Sequence, residues 1–210
     1  MHDDGVQPGT IVVLNGEPRS GKSSIAAAIQ ESFEGVWLNL GVDAAVGWLA
    51  PALKPGIGLR PGGERPDFEP MVARLFAALY ESVAVHSRFG LNVVVDVGHH
   101  DDYSQPRGML RACARRLDGL PALLVGVRCP IDVIMARRAA SPPGQYLTGT
   151  ADDPYPEPVR RWAAVHNPGI YDLELDTSEL TPAECAAAIG SRLRSGQPFE
   201  AWRRLAGLRG

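Results

Sequence analysis

The run Gly16-Glu17-Pro18-Arg19-Ser20-Gly21-Lys22-Ser23 has the residue types and spacing to hold a polyphosphate. Gly16 and Gly21 let the chain wrap closely enough for backbone N–H groups to point inward at phosphate oxygens. Lys22 is placed to reach the β- and γ-phosphates, and the Ser23 hydroxyl to take a position on Mg²⁺. The positive end of the helix that follows adds its dipole. Glu17, Pro18, Arg19, Ser20 and Ser24 belong to the same nucleotide-contacting stretch. Arg19 leaves two readings open, one toward solvent and one toward the phosphates. The cofactors implied are ATP and Mg²⁺.

Transfer of a phosphoryl group to an alcohol needs an acid to hold the metal, a base to take the hydroxyl proton, and positive charge over the moving phosphate. Asp96 closes the apolar run NVVVD and is the metal candidate together with Ser23; its alternative is capping the next turn. Asp43, in WLNLGVDAAVGWL, is the candidate base. Its alternative is capping a helix that starts at Ala44. Arg137 and Arg138 end the helix-like run IDVIMARR and are candidates for phosphate contact, with Arg128 also available. One of the pair 137/138 is expected on phosphate and the other at the helix C-terminus. His99, His100, Asp101 and Asp102 are metal-ligand types, but their spacing matches no closed zinc motif. They read as exposed loop residues, with acceptor contact by a histidine as the sharper alternative. Trp48 stands one helical turn beyond Asp43 as a candidate platform, and His166 reads as a hydrogen-bonded structural histidine.

These residues need a scaffold that gathers them at one edge. Strands are predicted at Ile11 to Asn15, Val36 to Leu40, Asn92 to Val97, Ala122 to Val127 and Tyr171 to Leu175. Helical patterns start at Lys22 and cover about 68–88, 106–118, 131–140, 157–166 and 182–194, with a short tail helix at Phe199 to Leu205. The alternation predicts an α/β, three-layer P-loop kinase-like fold with a five-stranded, mostly parallel sheet. In such a sheet, ligands sit at the carboxyl ends of the strands. The segment up to Gly9 reads as a loose tail. Residues 51–70 are rich in proline and glycine and form an acceptor-side loop, and residues 137–158 form a lid region.

Composition bounds the rest. The 210 residues, 45% hydrophobic and 21% charged, suffice for one core, so residues 1–210 are expected to form one domain. A net charge of -3 argues against a nucleic-acid or anionic-membrane partner. No apolar run approaches the roughly 20 residues of a membrane span, and the start MHDDGVQPG lacks a basic leader, which predicts a cytoplasmic protein. Cys113, Cys129 and Cys185 form no CxxC pair and read as small buried hydrophobes. Assembly into identical copies is neither implied nor excluded.

The stretches IVVLNGEPRSGKSSIA, LGVDAAVGWL, NVVVDVGHH, LLVGVRCPIDVIMARR and VHNPGIYDLELDTSELTPAECAAAI together resemble the chloramphenicol 3-O-phosphotransferase family of P-loop kinases over most of the chain. The resemblance implies that Asp43, in the GVD motif, is the base on the acceptor hydroxyl. It also implies that Lys22 and Ser23 serve the phosphates and metal, that Asp96 is the strand-end aspartate, and that Arg137 is the arginine eight positions after the cysteine of VGVRC. The family continues with an RxxxRGDR-like run where this chain reads RRAASPPGQY. Either Arg138 and Arg128 stand in for the missing arginines, or transfer is slow, or the acceptor differs. The expected activity is transfer of the γ-phosphoryl group of ATP to a hydroxyl of a small molecule, chloramphenicol or a related antibiotic or metabolite among the candidates. The alternatives are an ATP-binding regulatory or interaction protein with little transfer activity and, less favoured, a nucleic-acid end kinase.

Overall fold

Alternation along three apolar strands decides which side chains meet which layer. The computed structural model describes residues 5–208; Met1 to Asp4 of the expected tail lie outside them. The elements are β1 (Ile11–Asn15), α1 (Lys22–Ser32), β2 (Trp37–Asn39), α2 (Val42–Gly47), α3 (Glu69–Arg88), β3 (Asn92–Val97), α4 (Met109–Arg116), β4 (Ala122–Arg128), α5 (Ile131–Ala139), α6 (Glu157–Arg160), β5 (Leu173–Asp176), α7 (Pro182–Arg194) and α8 (Ala201–Ala206). The strands form one sheet in the order β2-β3-β1-β4-β5, and every pairing is parallel.

On β1, Ile11 and Val13 face one core while Val12 and Leu14 face the other. β3 divides in the same way, with Val93, Val95 and Val97 on the first side and Val94 on the second. The first core is closed by α3, α4 and α8, the second by α1 and α7. Burial on both faces explains why these strands read as unbroken apolar runs. Asp96 has the parity of Val94, so it points to the α1 side, level with Leu14 on β1.

Several boundaries move for physical reasons. The tail is tied down from Gly9, whose N–H donates to the Ser87 carbonyl at 2.8 Å while Ser87 Oγ donates to the Gly9 carbonyl at 2.6 Å. The expected helix over 157–166 is α6 followed by a 3₁₀ turn at Arg161–His166. Three residues per turn place Trp162 and Val165 on one inward side. The proline- and glycine-rich loop holds two short 3₁₀ turns, Pro51–Leu53 and Gly56–Gly58. Buried Ile57 and Leu59 pin it to the core.

The expectation that His99 and His100 are exposed is wrong. Both are buried, His99 completely, because the chain leaving β3 runs under α3 instead of outward. His99 Nε2 hydrogen-bonds the Tyr80 hydroxyl at 2.7 Å and its ring lies 4.4 Å from that of Phe76. His100 Nε2 donates to the Leu59 carbonyl at 2.9 Å. The two rings therefore serve different partners. All three cysteines are buried, and burial pushes the Cys113 thiol up to about 12.

Burial, with a smaller contribution from His100, lowers the His99 pKa from 6.5 to about 3. The folded protein thus refuses a proton that the unfolded chain accepts below 6.5. Stability is complete above that pH and falls with acid toward pH 3, by at most about 1.4 kcal/mol per pH unit from this group. Urea unfolding across this range should show a flatter acid slope for His99→Gln, which keeps a partner for Tyr80. Identical slopes would mean that His99 is not the buried neutral group.

Candidate active site

Parallel pairing brings the carboxyl ends of the strands to one edge of the sheet, and the candidate residues gather there in a cavity of about 540 Å³. Gly16, Pro18, Arg19, Gly21, Lys22, Ser23, Ser24, Asp43, Asp96 and Arg137 all line it. Of the remaining predicted residues, Glu17 and Ser20 lie behind the loop and Arg138 faces elsewhere.

The loop from Gly16 to Gly21 is built to present donors. Gly16 packs so close to the Val127 carbonyl that a Cβ there would collide with it. Arg19, at φ 74°, is the only non-glycine residue among those described in the left-handed region. Such strain is characteristic of ligand sites. Among the described residues, the backbone N–H groups of Gly21, Lys22, Ser23 and Ser24 meet no protein acceptor, and α1 begins at Gly21 without a side-chain cap. Free N–H groups at the positive end of a helix form an anion site.

What these donors leave undone, the loop's carbonyls do. Lys22 Nζ donates to the Glu17 carbonyl at 2.7 Å. Thr177 Oγ1 donates to the Ser20 carbonyl at 2.7 Å. Arg137 donates through Nη1 to Thr177 Oγ1 at 3.0 Å and the Arg19 carbonyl at 3.3 Å, and through Nη2 to the Thr177 carbonyl at 2.6 Å. Arg137 thus lines the cavity as a brace between the loop and the end of β5. The Glu17 carboxylate turns away to His166 Nε2 at 3.1 Å, and His166 Nδ1 meets the Tyr171 hydroxyl at 2.9 Å. Buried Asn15 donates to that hydroxyl at 3.1 Å and to the Val165 carbonyl at 2.7 Å, while its Oδ1 accepts from His99 N–H at 2.8 Å. Thr177 and Asn15 went unremarked as site residues. The hydroxyl in LELDTS was the one available signal for Thr177, and nothing local marks Asn15.

Ser23 Oγ donates to Asp96 Oδ2 at 2.7 Å. Gly41 leaves the room for that carboxylate, since a Cβ at Gly41 would strike Asp96 Oδ1. A hydroxyl beside a carboxylate is a hard oxygen pair of the kind Mg²⁺ takes, with water and phosphate oxygens completing its shell. These residues fit Mg²⁺, and the free N–H groups with Lys22 fit a polyphosphate.

Asp43 lies inside the first turn of α2, whose N-cap is Gly41, so it does not cap a helix beginning at Ala44. Its carboxylate accepts no hydrogen bond among the described residues. Burial first, and then Asp96, raise its pKa above the usual carboxylate value, with Lys22 pulling the other way. Burial lowers the pKa of Lys22 against the attraction of Asp96, Glu17 and Asp43.

Three expectations fail here. Trp48 is 65% exposed and does not line the cavity. Arg128 points away from it, paired with Glu174 at 2.7 Å in an exposed contact, because it ends β4 beside that strand's neighbour. Arg138, buried, donates to the Leu147 carbonyl and lies over the Tyr146 ring, one residue round the helix from Arg137 and so on another face. Asp101 is not a ligand either, since it accepts from the N–H groups of Arg107 and Gly108 ahead of α4.

The description "Chloramphenicol phosphotransferase-like protein" matches residues 9–194. The chain belongs to this family. No curated protein sequence matches it. Its fold is similar to that of an unliganded sugar kinase from Janibacter sp. HTCC2649 (16% identity, 90% of this chain and 96% of that one, TM-score 0.62). It is also similar to the APS kinase of Mycobacterium tuberculosis solved with AMPPNP and APS (18%, 90% and 99%, 0.59). A third likeness is to the tunicamycin resistance protein of Deinococcus radiodurans (18%, 89% and 96%, 0.59). At these identities the solved structures speak for a kinase-like fold. Among the described residues, no helix is long and apolar enough to cross a membrane.

The brace generates a prediction. Thr177→Val removes one donor to the loop and one acceptor for Arg137, and should lower stability by about 1–2 kcal/mol in urea unfolding. It should also weaken AMPPNP binding in calorimetric titration. Unchanged affinity would mean that the loop holds its shape without β5.

Proposed function

We propose that this chain is an ATP·Mg²⁺-dependent O-phosphotransferase acting on a small hydroxyl-bearing molecule, with Asp43 as the base. The observation that carries the proposal is the meeting, in one cavity, of a loop with free N–H groups, Lys22, the Ser23–Asp96 pair and an acid with no protein partner. Membership of the chloramphenicol phosphotransferase-like family supports the same class of reaction. Chloramphenicol, on the family's description, is one acceptor to test beside hydroxyl compounds that carry a charge.

In this reading the N–H groups from Gly21 to Ser24 and the Lys22 ammonium hold the β- and γ-phosphates and oppose the charge that builds as transfer proceeds. Ser23 and Asp96 hold Mg²⁺, which when bound neutralises phosphate charge. Asp43 accepts the proton of the acceptor hydroxyl while that oxygen bonds to the γ-phosphorus and the bond from this phosphorus to the β,γ-bridging oxygen breaks, leaving ADP. Free of hydrogen bonds, its carboxylate can turn wholly to the acceptor. Trp162, Ile57 and Val42 supply an apolar wall for the acceptor body. Arg137 sets the loop's position, and Arg19, against Tyr146 at 5.3 Å, adds charge at the loop's rim. Residues 141–158, without helix or strand before Glu157, serve as the lid over this mouth.

Asp43→Asn tests the proposal. It should keep nucleotide affinity and melting temperature near wild type while lowering kcat by about 10² to 10⁴, the usual worth of a positioned base. Because burial raises the Asp43 pKa, the wild-type rate should fall with acid through a pH above the ordinary aspartate value of 3.8, as the base takes up its proton. Steady-state kinetics on an acceptor found by screening alcohols, phenicols, aminoglycosides and nucleosides provides the measurement. Turnover of Asp43→Asn within about twofold of wild type would remove Asp43 from the mechanism.

A further inference from the structure

Beside the large cavity lies a smaller chamber of about 210 Å³ that shares Pro18, Gly58, Tyr146 and Trp162 with it. Arg60, from the proline-rich loop, and Arg138, from the end of α5, line the chamber. Arg138 is only 6% exposed. Its Nη1 donates to the Leu147 carbonyl at 3.1 Å and its guanidinium sits 5.4 Å from the centre of the Tyr146 ring. Its Nε is buried without any hydrogen-bond partner, and among the described residues Nη2 has no acceptor either. Nε is sealed off from any group the size of a water, which leaves Nη2 as the nitrogen free to meet a carboxylate or phosphate oxygen.

A buried cation ordinarily brings its counter-charge with it. Arg138 forms no ion pair among the described residues, and three acids of neighbouring segments are engaged elsewhere. Glu17 meets His166, Asp153 meets Arg160 and Glu157 meets Arg161. Arg60 has only a loose contact with Glu64, at 3.7 Å and half-exposed, which leaves its charge largely available. Burial lowers the pKa of Arg138, Tyr146 opposes this, and the like charges of Arg60 and Arg19 lower it by smaller amounts. The chamber is lined by two arginines and, among the described residues, by no carboxylate.

We propose that this chamber binds an oxyanion (carboxylate, sulfate or phosphate) carried by the acceptor molecule, through Nη2 of Arg138 and the head of Arg60. The inference rests on the phosphotransferase reading and narrows its substrate to a hydroxyl compound with a negatively charged group. The anion lies beside Tyr146 and Trp162 and the hydroxyl extends into the larger cavity toward Asp43. An uncharged acceptor leaves Arg138 uncompensated. Arg138 thereby acts on the acceptor, and not on the nucleotide phosphates.

The test is a calorimetric titration of the full chain with sulfate at constant ionic strength, with AMPPNP·Mg²⁺ already saturating the larger cavity. One sulfate per chain should bind saturably. Arg138→Gln should weaken it by about tenfold or more, the scale of a lost charge-assisted hydrogen bond, with AMPPNP affinity retained. Arg60→Gln, on an exposed loop where folding is not at stake, should weaken it severalfold. Absence of saturable sulfate binding, or equal binding by wild type and Arg60→Gln, would overturn the inference. So would a loss of AMPPNP affinity in folded Arg138→Gln, which would move that residue to the nucleotide. Failure of the wild type to bind AMPPNP at all would overturn the phosphotransferase reading and this inference together, which separates the two.

Discussion

A loop that keeps its N–H groups free for a ligand cannot use them to hold itself, and most of the site's construction follows from that constraint. Among the described residues, only the Gly16 and Ser20 N–H groups of the loop are spent on the protein, on the Val97 and Glu17 carbonyls, and the rest of the fixing is done through the loop's own carbonyl oxygens. Those of Glu17, Arg19 and Ser20 accept from Lys22, Arg137 and Thr177. The same logic explains Arg137, whose planar fork spans two backbone segments at once. It also accounts for the buried polar chain from Asn15 through Tyr171 and His166 to Glu17, which turns that carboxylate away from the phosphate side.

The electrostatics of the cavity have a related balance. Lys22, half-buried, stands among Asp96, Glu17 and Asp43, so the free site already holds its cation against carboxylates. Incoming phosphate charge competes with those acids, and a hard divalent cation on the Ser23–Asp96 pair offsets them. Asp43 is subject to the same field with the opposite result. Burial and Asp96 raise its affinity for a proton, as the proposed role of base would require.

Much of this was legible in the residues. The strands buried on both faces announce themselves as β-branched runs, and GxxxxGKS between strand and helix fixes the loop, because glycine placement and lysine position are local requirements. Asp96 was legible because a polar residue ending an apolar strand has few places to go. What escaped the sequence is what depends on register between distant segments. Thr177 matters only because β5 lies beside β4 at the right height, and Asn15 only because Tyr171 and Val165 fold over it. His99 and His100 look like loop residues until α3 is laid across them. Arg137 and Arg138, adjacent in sequence, point to different chambers because one residue on a helix is a turn of about 100°.

The contacts that shape the phosphate loop are also among the longest-range in the chain. Thr177 and Ser20 are 157 residues apart, His166 and Glu17 are 149, and Arg137 and Arg19 are 118. Closing loops of that length is entropically slow, so these bonds form late, after local helices and the central strands have assembled. During synthesis the glycine loop emerges early but remains unshaped until β5, near the end of the chain, docks on the sheet. The shape of the glycine loop is therefore set by the end of β5, the strand farthest from it along the sequence.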